Sequence, residues 1–487
     1  MSGSLLNLEQ LLSAVNGQLI ESSSKKNFGF TSVVTDSRNV VNGSLFVPLV
    51  GEFQDGHKYI PQAMEKGAAV VFVNSAEDEK SKTLYAELDA KSDCVFVVVQ
   101  NTLHALQAAA RSYAAKVSAN MIRVSITGSS GKTTTKEMLV SVCKEFYGQN
   151  AVAYTKGNFN SETGLPLSMF QIKGDEKIGI FEMGMNRVNE IGEISAVWKS
   201  QYGIITNIGN AHIGILGSRQ NIANEKRKSF DYIPSSGAAF VPADDDFADY
   251  CTQNVKGQVV KFGKSVGEEV SGVKFIEDMG LRGTRFAVDG LEVCLGLPGE
   301  YNYQKALGVI ALAKKLGINR ECIKTGLEKV SAVAGRMEIK EGKLKSGVKA
   351  SVVCDCYNAN PDSMKKAVEF CSGIECSGNK IFILGDMKEL GEKAVQAHKD
   401  IGFACAECGA DLVILTGSDM KNAAQAIEEK NKALEVLYFE NNDDNFFTQA
   451  SAKVLKAAKD GAVILIKGSH SMELQKLIPL VVMEGAN

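Results

Sequence analysis

The sequence predicts an α/β protein made of three domains, each built around a mostly parallel β-sheet. At 487 residues the chain is too long for one hydrophobic core and has the length of roughly three domains of about 150 residues. Short apolar stretches alternate with helical stretches, and this alternation restarts twice along the chain. Several apolar stretches end in polar residues, as parallel strands do when a site lies at their carboxyl ends.

The first domain is predicted over residues 1–117. Its opening stretch, SLLNLEQLLSAVNG, carries Glu9 within an apolar pattern and lacks a basic segment before it, so it predicts an amphipathic helix and not a signal peptide. The apolar stretches SLFVPLV, GAAVVFV and CVFVVVQ predict strands, and TLHALQAAARSYAAKV predicts the last helix. Together they indicate an α/β unit.

The second domain is predicted over residues 118–331. It begins with a strand, a glycine-rich loop and a helix, as a P-loop ATPase-like domain does. Further along, KIGIFEMG and YGIITNIGNAH have the continuous apolar pattern of buried parallel strands and end in polar residues. We therefore expect a mostly parallel sheet with a site at its carboxyl edge.

The third domain is predicted over residues 332–487, where the alternation restarts. ASVVCDCY, KIFILGDM, ADLVILTG, EVLYFEN and AVILIKGS predict strands, separated by helical stretches such as DSMKKAVEFC and FFTQASAKVLKAAK. This pattern is typical of a Rossmann-like, doubly wound domain, although it has no phosphate-loop glycines of its own. Three α/β domains in series imply clefts between them, where ligands commonly bind.

The composition disfavours several classes of partner. With 54 basic and 57 acidic residues the net charge is -3, so there is no electrostatic basis for binding nucleic acid or an anionic membrane. No apolar run approaches the roughly 20 residues that cross a bilayer. We expect a cytoplasmic protein without membrane insertion or nucleic acid, which works as a monomer on small-molecule substrates.

Eleven cysteines are scattered through apolar segments, which favours reduced core residues over a disulfide framework. The pairs Cys354/Cys356 and Cys405/Cys408 raise the possibility of a zinc site. No second Cys or His pair lies at finger-like spacing from either of them, so the pattern disfavours zinc.

The glycine-rich loop, TGSSGKTTTKEM at 127–138, is the first candidate site. It lacks the first glycine of the common pattern G-x-x-x-x-G-K-[ST], because Ile126 stands there, and it keeps Gly128 and Gly131. Small residues between a strand and a helix let backbone N–H groups face a phosphate. Lys132 would neutralise phosphate charge, and the hydroxyl of Thr133 would bind magnesium. The alternative is an ordinary strand-to-helix turn.

Two polar residues follow the next apolar strands. Glu182 ends the strand in GIFEMGMN and could supply a carboxylate for magnesium, or it could be a solvated acid at a strand end. His212 follows the strand in ITNIGNAHIG and could face the same site. A lone His is more often structural or exposed than a ligand, so this pattern leaves its role open.

Seven stretches of the sequence resemble the Mur ligase family in their order and approximate spacing: TGSSGKTTTKEM, TKGNFNSETGLPLS, FEMGMN, TNIGNAHIGILGSRQNIANEK, LPGEYNYQKAL, GRMEI and YNANPDSM. The N-terminal stretch DSRNVVNGSLFVPLVGEFQDGHKYI resembles the UDP-binding domain of the same family. The resemblance therefore covers nearly the whole chain.

The resemblance implies an ATP-dependent ligase of peptidoglycan synthesis. Among the activities of the family, it is most similar to the one that joins UDP-N-acetylmuramoyl-tripeptide to D-alanyl-D-alanine. The implied reaction transfers the γ-phosphoryl group of ATP to the tripeptide carboxylate, and the amine of the dipeptide then attacks the acyl phosphate. The implied cofactors are two Mg²⁺ ions and CO₂, which is bound as a lysine carbamate.

The resemblance also implies the roles of individual residues. Thr133 and Glu182 would hold one Mg²⁺, and His212 with carbamylated Lys226 the second, with Lys228 as the alternative lysine. The implied catalytic residues are Lys132, Glu182, His212, Lys226 and Arg336. The implied ATP-binding residues are Gly128, Ser129, Ser130, Gly131, Lys132, Thr133, Thr134, Asn302, Arg336 and Asp355. The candidate substrate-binding residues are Ser37, Arg38, Asp55 and His57 for UDP, Asn158, Asn160 and Ser161 for the nucleotide-peptide, and Tyr357, Asn358 and Asn360 for D-alanyl-D-alanine.

Some residues depart from the family pattern. Lys305 stands where a second Asn is common, and Cys354 and Cys356 stand where Asp and Ser are commoner. The polar turn before the helix at DSMKKAVEFC predicts Asp362 or Ser363 as its N-cap. Two other functions stay open from the sequence: the relative that adds the third amino acid, whose D-N-P-R motif is absent here, and a binding protein that only senses ATP.

Overall fold

The computed structural model describes residues 3–75 and 79–483, and within them the chain forms three α/β domains in series. The predicted boundaries after residues 117 and 331 fall between the elements of neighbouring domains. The fold class predicted from the alternating pattern is confirmed.

The first domain is a five-stranded sheet with helices packed on it. Its strands are β1 (Gln18–Leu19), β2 (Ser32–Val34), β3 (Ser44–Phe46), β4 (Ala68–Asn74) and β5 (Val95–Val99). Its helices are α1 (Leu8–Val15), α2 (Ile60–Glu65), α3 (Glu79–Ala90) and α4 (Thr102–Val117). The sheet order is β1-β5-β4-β3-β2, and β1 alone pairs antiparallel. Asn7 closes a capping box with Gln10 at the start of α1, which fixes the predicted amphipathic helix.

The second domain has a parallel sheet and a smaller antiparallel one. Its strands are β6 (Ile122–Thr127), β7 (Val152–Tyr154), β8 (Ile178–Glu182), β9 (Tyr202–Ile205), β10 (Ala238–Pro242), β11 (Gln258–Phe262), β12 (Val273–Asp278), β13 (Thr284–Val288) and β14 (Leu291–Leu295). Its helices are α5 (Lys132–Tyr147), α6 (Gly164–Met169), α7 (Glu190–Trp198), α8 (Ile213–Leu216), α9 (Arg219–Arg227), α10 (Ala248–Thr252), α11 (Glu268–Ser271), α12 (Glu300–Lys315) and α13 (Arg320–Glu328).

The parallel sheet of this domain places the phosphate loop at its centre. Its order is β11-β10-β9-β6-β8-β7, so β6 lies between β8 and β9. The chain leaves β6 for α5 on one side of the sheet and returns through strands on both flanks of β6. A crevice opens at such a point, outside the carboxyl ends of the strands.

The antiparallel sheet β12-β13-β14 was not among the elements predicted from the sequence. A tight turn at Asp289 and Gly290, both with positive φ, joins its last two strands. The outer strand β12 is mostly exposed after Val273, so it lacks the apolar run that indicates a buried strand. The Asp-Gly pair was the available signal for this hairpin.

The third domain is doubly wound, as predicted. Its strands are β15 (Glu338–Lys343), β16 (Lys349–Asp355), β17 (Lys380–Gly385), β18 (Leu412–Thr416), β19 (Glu435–Phe439) and β20 (Ala462–Lys467). Its helices are α14 (Pro361–Gly373), α15 (Ala394–Glu407), α16 (Met420–Lys430), α17 (Asp444–Ala457) and α18 (Ile478–Val481). The sheet order is β15-β16-β20-β17-β18-β19, and every pairing except that of β15 is parallel.

The predicted N-cap of α14 was wrong. Asn360 is the cap, since its side chain accepts from the backbone N–H of Ser363 while the Ser363 hydroxyl lies 3.1 Å from the backbone N–H of Asn360. Pro361 takes the first helical position, where its missing N–H costs nothing. Asp362 is thereby left free for a contact outside its own helix.

Hydrophobic cores continue across both domain boundaries. Trp198 of α7 is fully buried, packs against Phe181 with ring centroids 4.2 Å apart and donates from its indole nitrogen to the carbonyl of Val124. Tyr113 of the first domain packs into the same core, and its hydroxyl donates to the carbonyl of Ile172 in the second domain. Another core joins the second and third domains. The three domains are therefore held in contact by apolar packing.

The cysteines are reduced and mostly lie in the hydrophobic cores, as the sequence predicted. All eleven cysteines are free thiols, and most are buried. Neither Cys pair belongs to a group of three or more possible metal ligands within the residues that the structure describes. In the same part of the chain, every helix is too short or too polar to span a bilayer.

Helix α13 packs so closely on the phosphate-loop helix α5 that the contact requires a glycine. A Cβ on Gly326 would lie 2.4 Å from the Cα of Val142. We predict that Gly326→Ala lowers the unfolding free energy by about 1–3 kcal/mol, because the two helices must move apart. Thermal unfolding followed by circular dichroism measures the effect as a fall of several degrees in Tm.

Gly373→Ala is the matched control for this prediction. Gly373 also lies in a helix, but a Cβ there would meet nothing within 4 Å. This variant is expected to keep or raise Tm, since Ala favours helix over Gly. Equal Tm values for the two variants would contradict the packing argument.

Candidate active site

A cavity of about 840 Å³ lies between the second and third domains. It opens at the carboxyl ends of β6, β8 and β9 on one side and of β16 and β20 on the other. The predicted site residues that line it are Ser129, Ser130, Gly131, Lys132, Thr134, Asn158, Asn160, Ser161, Glu182, His212, Asn302, Arg336, Asp355, Tyr357, Asn358 and Asn360. Residues from distant parts of the sequence thus converge on one cavity.

The glycine-rich loop presents an uncapped helix end to this cavity. Gly131 adopts a left-handed conformation, φ +79°, as the N-cap of α5, and no side chain caps the first N–H groups of the helix. Gly128 approaches Thr206 so closely that a Cβ would lie 1.8 Å from the Thr206 hydroxyl oxygen. The backbone N–H of Ser130 donates to Asn207 at 2.9 Å and braces the loop. The uncapped N–H groups at the start of α5 therefore form an anion site at the positive end of the helix dipole.

Lys132 begins α5 and folds back over the loop. Its ammonium donates to the carbonyl of Gly128 at 2.9 Å. Burial lowers the pKa of Lys132, and the charge of Arg336 lowers it further, while Glu182 acts in the opposite direction. A phosphate bound by the loop would restore the preference for the charged ammonium, because an opposite charge nearby stabilises it.

Glu182 is the buried carboxylate at the end of β8, with 1% of its surface exposed. One oxygen accepts from the hydroxyl of Thr133 at 2.9 Å, and the other accepts from the side-chain amide of Asn160 at 2.7 Å. Hydroxyl and carboxylate oxygens are the ligands that Mg²⁺ prefers. The Thr133 and Glu182 pair therefore fits a magnesium ion, which would take the place of their mutual hydrogen bond.

Lys226 and Lys228 differ sharply in their surroundings. Lys226 is 1% exposed on α9, and burial lowers its pKa well below the ordinary value, with the charge of Lys132 acting in the same direction. Lys228 lies one residue beyond the helix, where its ammonium bonds Glu225 and Asn189 at 2.9 Å each. A neutral amine is thus more accessible at Lys226 than at the ion-paired Lys228. Lys226 is not itself part of the cavity wall.

His212 lies at the cavity wall and faces the third domain. Its Nδ1 lies 2.8 Å from a carboxylate oxygen of Glu389. The contact lowers the pKa of Glu389 in spite of burial. Both residues have φ +64°, and the backbone N–H of Gly214 donates to the carbonyl of Glu389. The third domain therefore fixes the surroundings of His212.

Arg336 and Asp355 bring charges from the third domain into the cavity. The guanidinium of Arg336 lies 4.0 Å over the ring of Tyr357, and its Nε has no hydrogen-bond partner among the described residues. Asp355, at the end of β16, forms an ion pair with Lys467 and accepts from the backbone N–H of Met337. The Arg336 side chain is thus held by packing, with donors left for a ligand.

Asp362 joins the third domain to the second beside the phosphate loop. Its two carboxylate oxygens accept from the backbone and the side-chain amide of Asn210, at 2.7 and 2.9 Å. A Cβ on Gly209 would lie 2.4 Å from the same carboxylate. This close contact closes one side of the cavity.

The candidate UDP-binding residues lie outside this cavity. Asp36 caps the backbone N–H of Arg38 and pairs with its guanidinium, so the stretch TDSR forms a capped turn. Ser37 is buried and donates to Gln62. Asp55 caps the next turn and contacts the ring of His57 at 2.6 Å. The structure does not bring these four residues together with the phosphate loop.

Sequence reasoning missed Lys467 and Lys366, which line the cavity, and Glu389, which contacts His212. Glu389 follows the strand in KIFILGDMKEL, and Lys467 ends the strand in AVILIKGS, so strand-end position was a usable signal for both. Lys366 lies on α14 without a distinctive pattern around it.

A second polar group, Asp386, His398 and Asp419, has the composition of a metal site. Both ring nitrogens of His398 are already used, by the backbone N–H of Met387 and the carbonyl of Ala394. Asp386 accepts from Lys388 and from a backbone N–H. His398 and Asp386 thus already have partners within the third domain.

The comparisons with known proteins cover all three domains. The Mur ligase family, catalytic domain model matches residues 29–114, the Mur ligase middle domain model residues 126–313, and the Mur ligase, glutamate ligase domain model residues 335–470. In solved structures, the chain is similar to MurF from Acinetobacter baumannii with a TM-score of 0.81, at 26% identity over 96% of this chain and 97% of that one.

Two curated relatives carry the name UDP-N-acetylmuramoyl-tripeptide--D-alanyl-D-alanine ligase. The protein from Treponema pallidum (strain Nichols) is 36% identical over 98% of this chain and 99% of its own length. The protein from Bacillus subtilis (strain 168) is 31% identical over 92% of each chain. With this similarity along the whole chain and a phosphate loop facing the cavity between two domains, the protein belongs to the Mur ligase family.

Proposed function

We propose that this chain is an ATP-dependent ligase that joins D-alanyl-D-alanine to UDP-N-acetylmuramoyl-tripeptide in peptidoglycan precursor synthesis. The observation that carries the proposal is the single cavity that collects a phosphate loop, a buried carboxylate and cations from two domains. The two relatives named for this reaction match along nearly their whole length, which supports the same substrates here.

The first chemical step activates a carboxylate, which is a poor electrophile. The γ-phosphoryl group of ATP passes to the C-terminal carboxylate of the tripeptide, giving an acyl phosphate and ADP. Negative charge builds up on the transferring group, so preorganised donors and cations lower the barrier. The free N–H groups before α5 and the ammonium of Lys132 are suited to the phosphates, and Arg336 is suited to the group in transfer.

Magnesium would sit with Thr133 and Glu182, whose oxygens already converge at 2.9 Å. When bound, it neutralises phosphate charge and holds the phosphate chain in position. His212 is the proposed ligand of a second ion. The protein's own contribution is to keep the Glu182 carboxylate buried and aimed by Asn160, so that it does not rotate away.

Lys226 is proposed to carry CO₂ as a carbamate beside the second ion. The neutral amine attacks the carbon of CO₂, the new N–C bond forms, and one amine proton leaves to solvent, so the product is an anion with two oxygens. Burial supports this step because it lowers the pKa of Lys226 and leaves more of the neutral amine. The charge of Lys132 nearby favours the anionic product.

The second chemical step forms the amide bond. The amine of D-alanyl-D-alanine attacks the acyl carbon and loses a proton, and the tetrahedral intermediate expels phosphate. Tyr357, Asn358 and Asn360 are proposed to position the dipeptide, since all three line the cavity on the third-domain side. Asn158 and Ser161 line the opposite side, where the tripeptide end would lie. The UDP group would extend to the first domain, near Ser37, Arg38, Asp55 and His57.

The setting proposed for this reaction is the cytoplasm, with the enzyme acting as a monomer. Eleven free thiols support a reducing compartment. The cavity is enclosed by two domains of one chain, so a second copy is not needed to complete it.

An assay of ADP release by the purified protein tests the proposed function. We expect release that depends on both UDP-N-acetylmuramoyl-tripeptide and D-alanyl-D-alanine, because the acyl phosphate needs the first substrate and turnover needs the second. Omitting either substrate is the internal control. ATP turnover that is indifferent to both would favour an ATP-sensing protein and overturn the proposal.

Lys132→Ala should abolish ligase activity. The phosphate in transfer would lose its buried cation, and we expect kcat to fall at least about 10³-fold. Initial rates at saturating substrates measure the effect, with circular dichroism as the check on folding. A kcat near that of the unsubstituted protein would remove Lys132 from the mechanism.

Lys226→Ala should be inactive and partly recover when a short carboxylate such as acetate is added. The added anion would stand in for the missing carbamate oxygens beside the second metal ion. Lys228→Ala is the matched control, because Lys228 is near in sequence but has its own ion pair with Glu225. An active Lys226→Ala together with a rescued Lys228→Ala would show that the other lysine carries CO₂.

A further inference from the structure

Lys305 occupies a place in the cavity that the reaction described above does not use. It lies in the first turns of α12 and packs against the phosphate loop, where a Cβ on Gly131 would lie 2.3 Å from the Lys305 Cε. Its ammonium donates to the side-chain oxygen of Asn302 at 3.0 Å and lies 4.9 Å from the ring centroid of Tyr301. Lys305 is therefore held between the phosphate loop and two neighbours on its own helix.

The ammonium has donors left for a ligand. The bond to Asn302 uses one of its three N–H groups, and the face of Tyr301 accepts no ordinary hydrogen bond. Asn302 in turn is fixed, because its amide donates to the carbonyl of Pro298 at 2.7 Å. The Lys305 side chain is thus aimed by Asn302, which is itself held in place, as a ligand-binding group requires.

The charges that face Lys305 are mostly of its own sign. From the third domain these are Asp355 at the end of β16, Lys467 at the end of β20, Lys366 on α14 and Arg336. Asp355, the anion among them, is already paired with Lys467. The region around Lys305 therefore carries an excess of positive charge that an anionic ligand would offset.

We propose that Lys305 binds a phosphate group of the nucleotide, as an additional cation beside the phosphate loop of this chain. A neutral Asn, which is common at this position in the family, could not supply that charge. The proposal rests on the proposed function only in taking the loop as a nucleotide site. Three features favour a phosphate over a neutral part of the ligand. The Lys305 side chain packs against Gly131 of the loop, Asn302 fixes its direction, and its surroundings carry an excess of positive charge.

A consequence is that nucleotide binding should take up a proton. Burial lowers the pKa of Lys305 to about 7, with the charges of Lys366, Arg336 and Lys467 acting in the same direction and Asp355 opposing them. A bound phosphate raises this pKa again. The cation is fully present below the pKa of the free protein, so the contribution of Lys305 to affinity is largest there and declines as pH rises above it.

Isothermal titration of ADP with constant Mg²⁺ tests the proposal, at pH values about 1.5 units below and above this pKa. At the lower pH, Lys305→Asn should bind ADP about tenfold more weakly than the unsubstituted protein, the effect of one charge-assisted hydrogen bond. At the higher pH the difference should shrink. Titration near neutral pH in buffers of different ionisation enthalpy should show proton uptake that Lys305→Asn reduces.

Two further variants separate binding from folding. Lys305→Arg keeps a cation that does not titrate, so it should retain affinity at the lower pH and lose the additional pH dependence. Lys315→Asn, at the far end of the same helix, should bind ADP as the unsubstituted protein does, since its exposed ammonium bonds Gln258.

Equal affinities of Lys305→Asn and the unsubstituted protein at both pH values would overturn the proposal. So would a loss of the same size at both, because that pattern indicates a structural role. The measured quantity is ADP binding and not ligation. A protein that binds ADP with the predicted pH dependence but joins no peptides would therefore overturn only the proposed function.

Discussion

The geometry of the site depends on one buried carboxylate, that of Glu182. A carboxylate that is 1% exposed is costly unless every oxygen is paired, so it fixes whatever it touches. One oxygen accepts from Thr133 of the phosphate-loop helix, and the other accepts from Asn160, which lines the cavity. The position of Glu182 in turn follows from its strand, which pairs with β6 directly beneath the phosphate loop. The register of β8 against β6 therefore sets the relative positions of Thr133 and Asn160.

In the second domain, desolvation destabilises the charged form of three lysines. The pKa values of Lys132, Lys226 and Lys305 are all lowered, and burial is the first cause in each case. Lysines in this condition are stabilised when an anion arrives, because the ligand supplies the missing opposite charge. Triphosphate, acyl phosphate and carbamate are such anions. Desolvating these lysines lowers the stability of the ligand-free protein. A bound anion removes part of that destabilisation, which adds to the free energy of binding.

The sequence predicted those parts of the site that depend on local order along the chain. The Gly-Lys-Thr loop could be found because a buried strand leads there into a helix whose first N–H groups need an anion. Glu182 and His212 could be found as candidates because each follows a buried strand. The family resemblance favoured Lys226, with Lys228 as the alternative, but the residue pattern alone could not separate two lysines so close in sequence, because they differ only in what the rest of the fold places over them. The contacts Asp362 to Asn210 and Glu389 to His212 also escaped prediction, since each joins two domains and leaves no periodic signal.

These interdomain contacts have a consequence for how the site can work. His212 and Glu389 both hold left-handed backbone conformations, which non-glycine residues keep only where the surroundings enforce them. The backbone carbonyl of Glu389 accepts from the N–H of Gly214, two residues after His212, so the two segments are bound directly to each other. A second interdomain contact joins Asp362 to Asn210, two residues before His212, and all three residues line the cavity. A movement of the third domain would therefore alter the surroundings of His212 and displace Arg336 from the phosphate loop in one step, so the proposed nucleotide and metal sites would be complete only together.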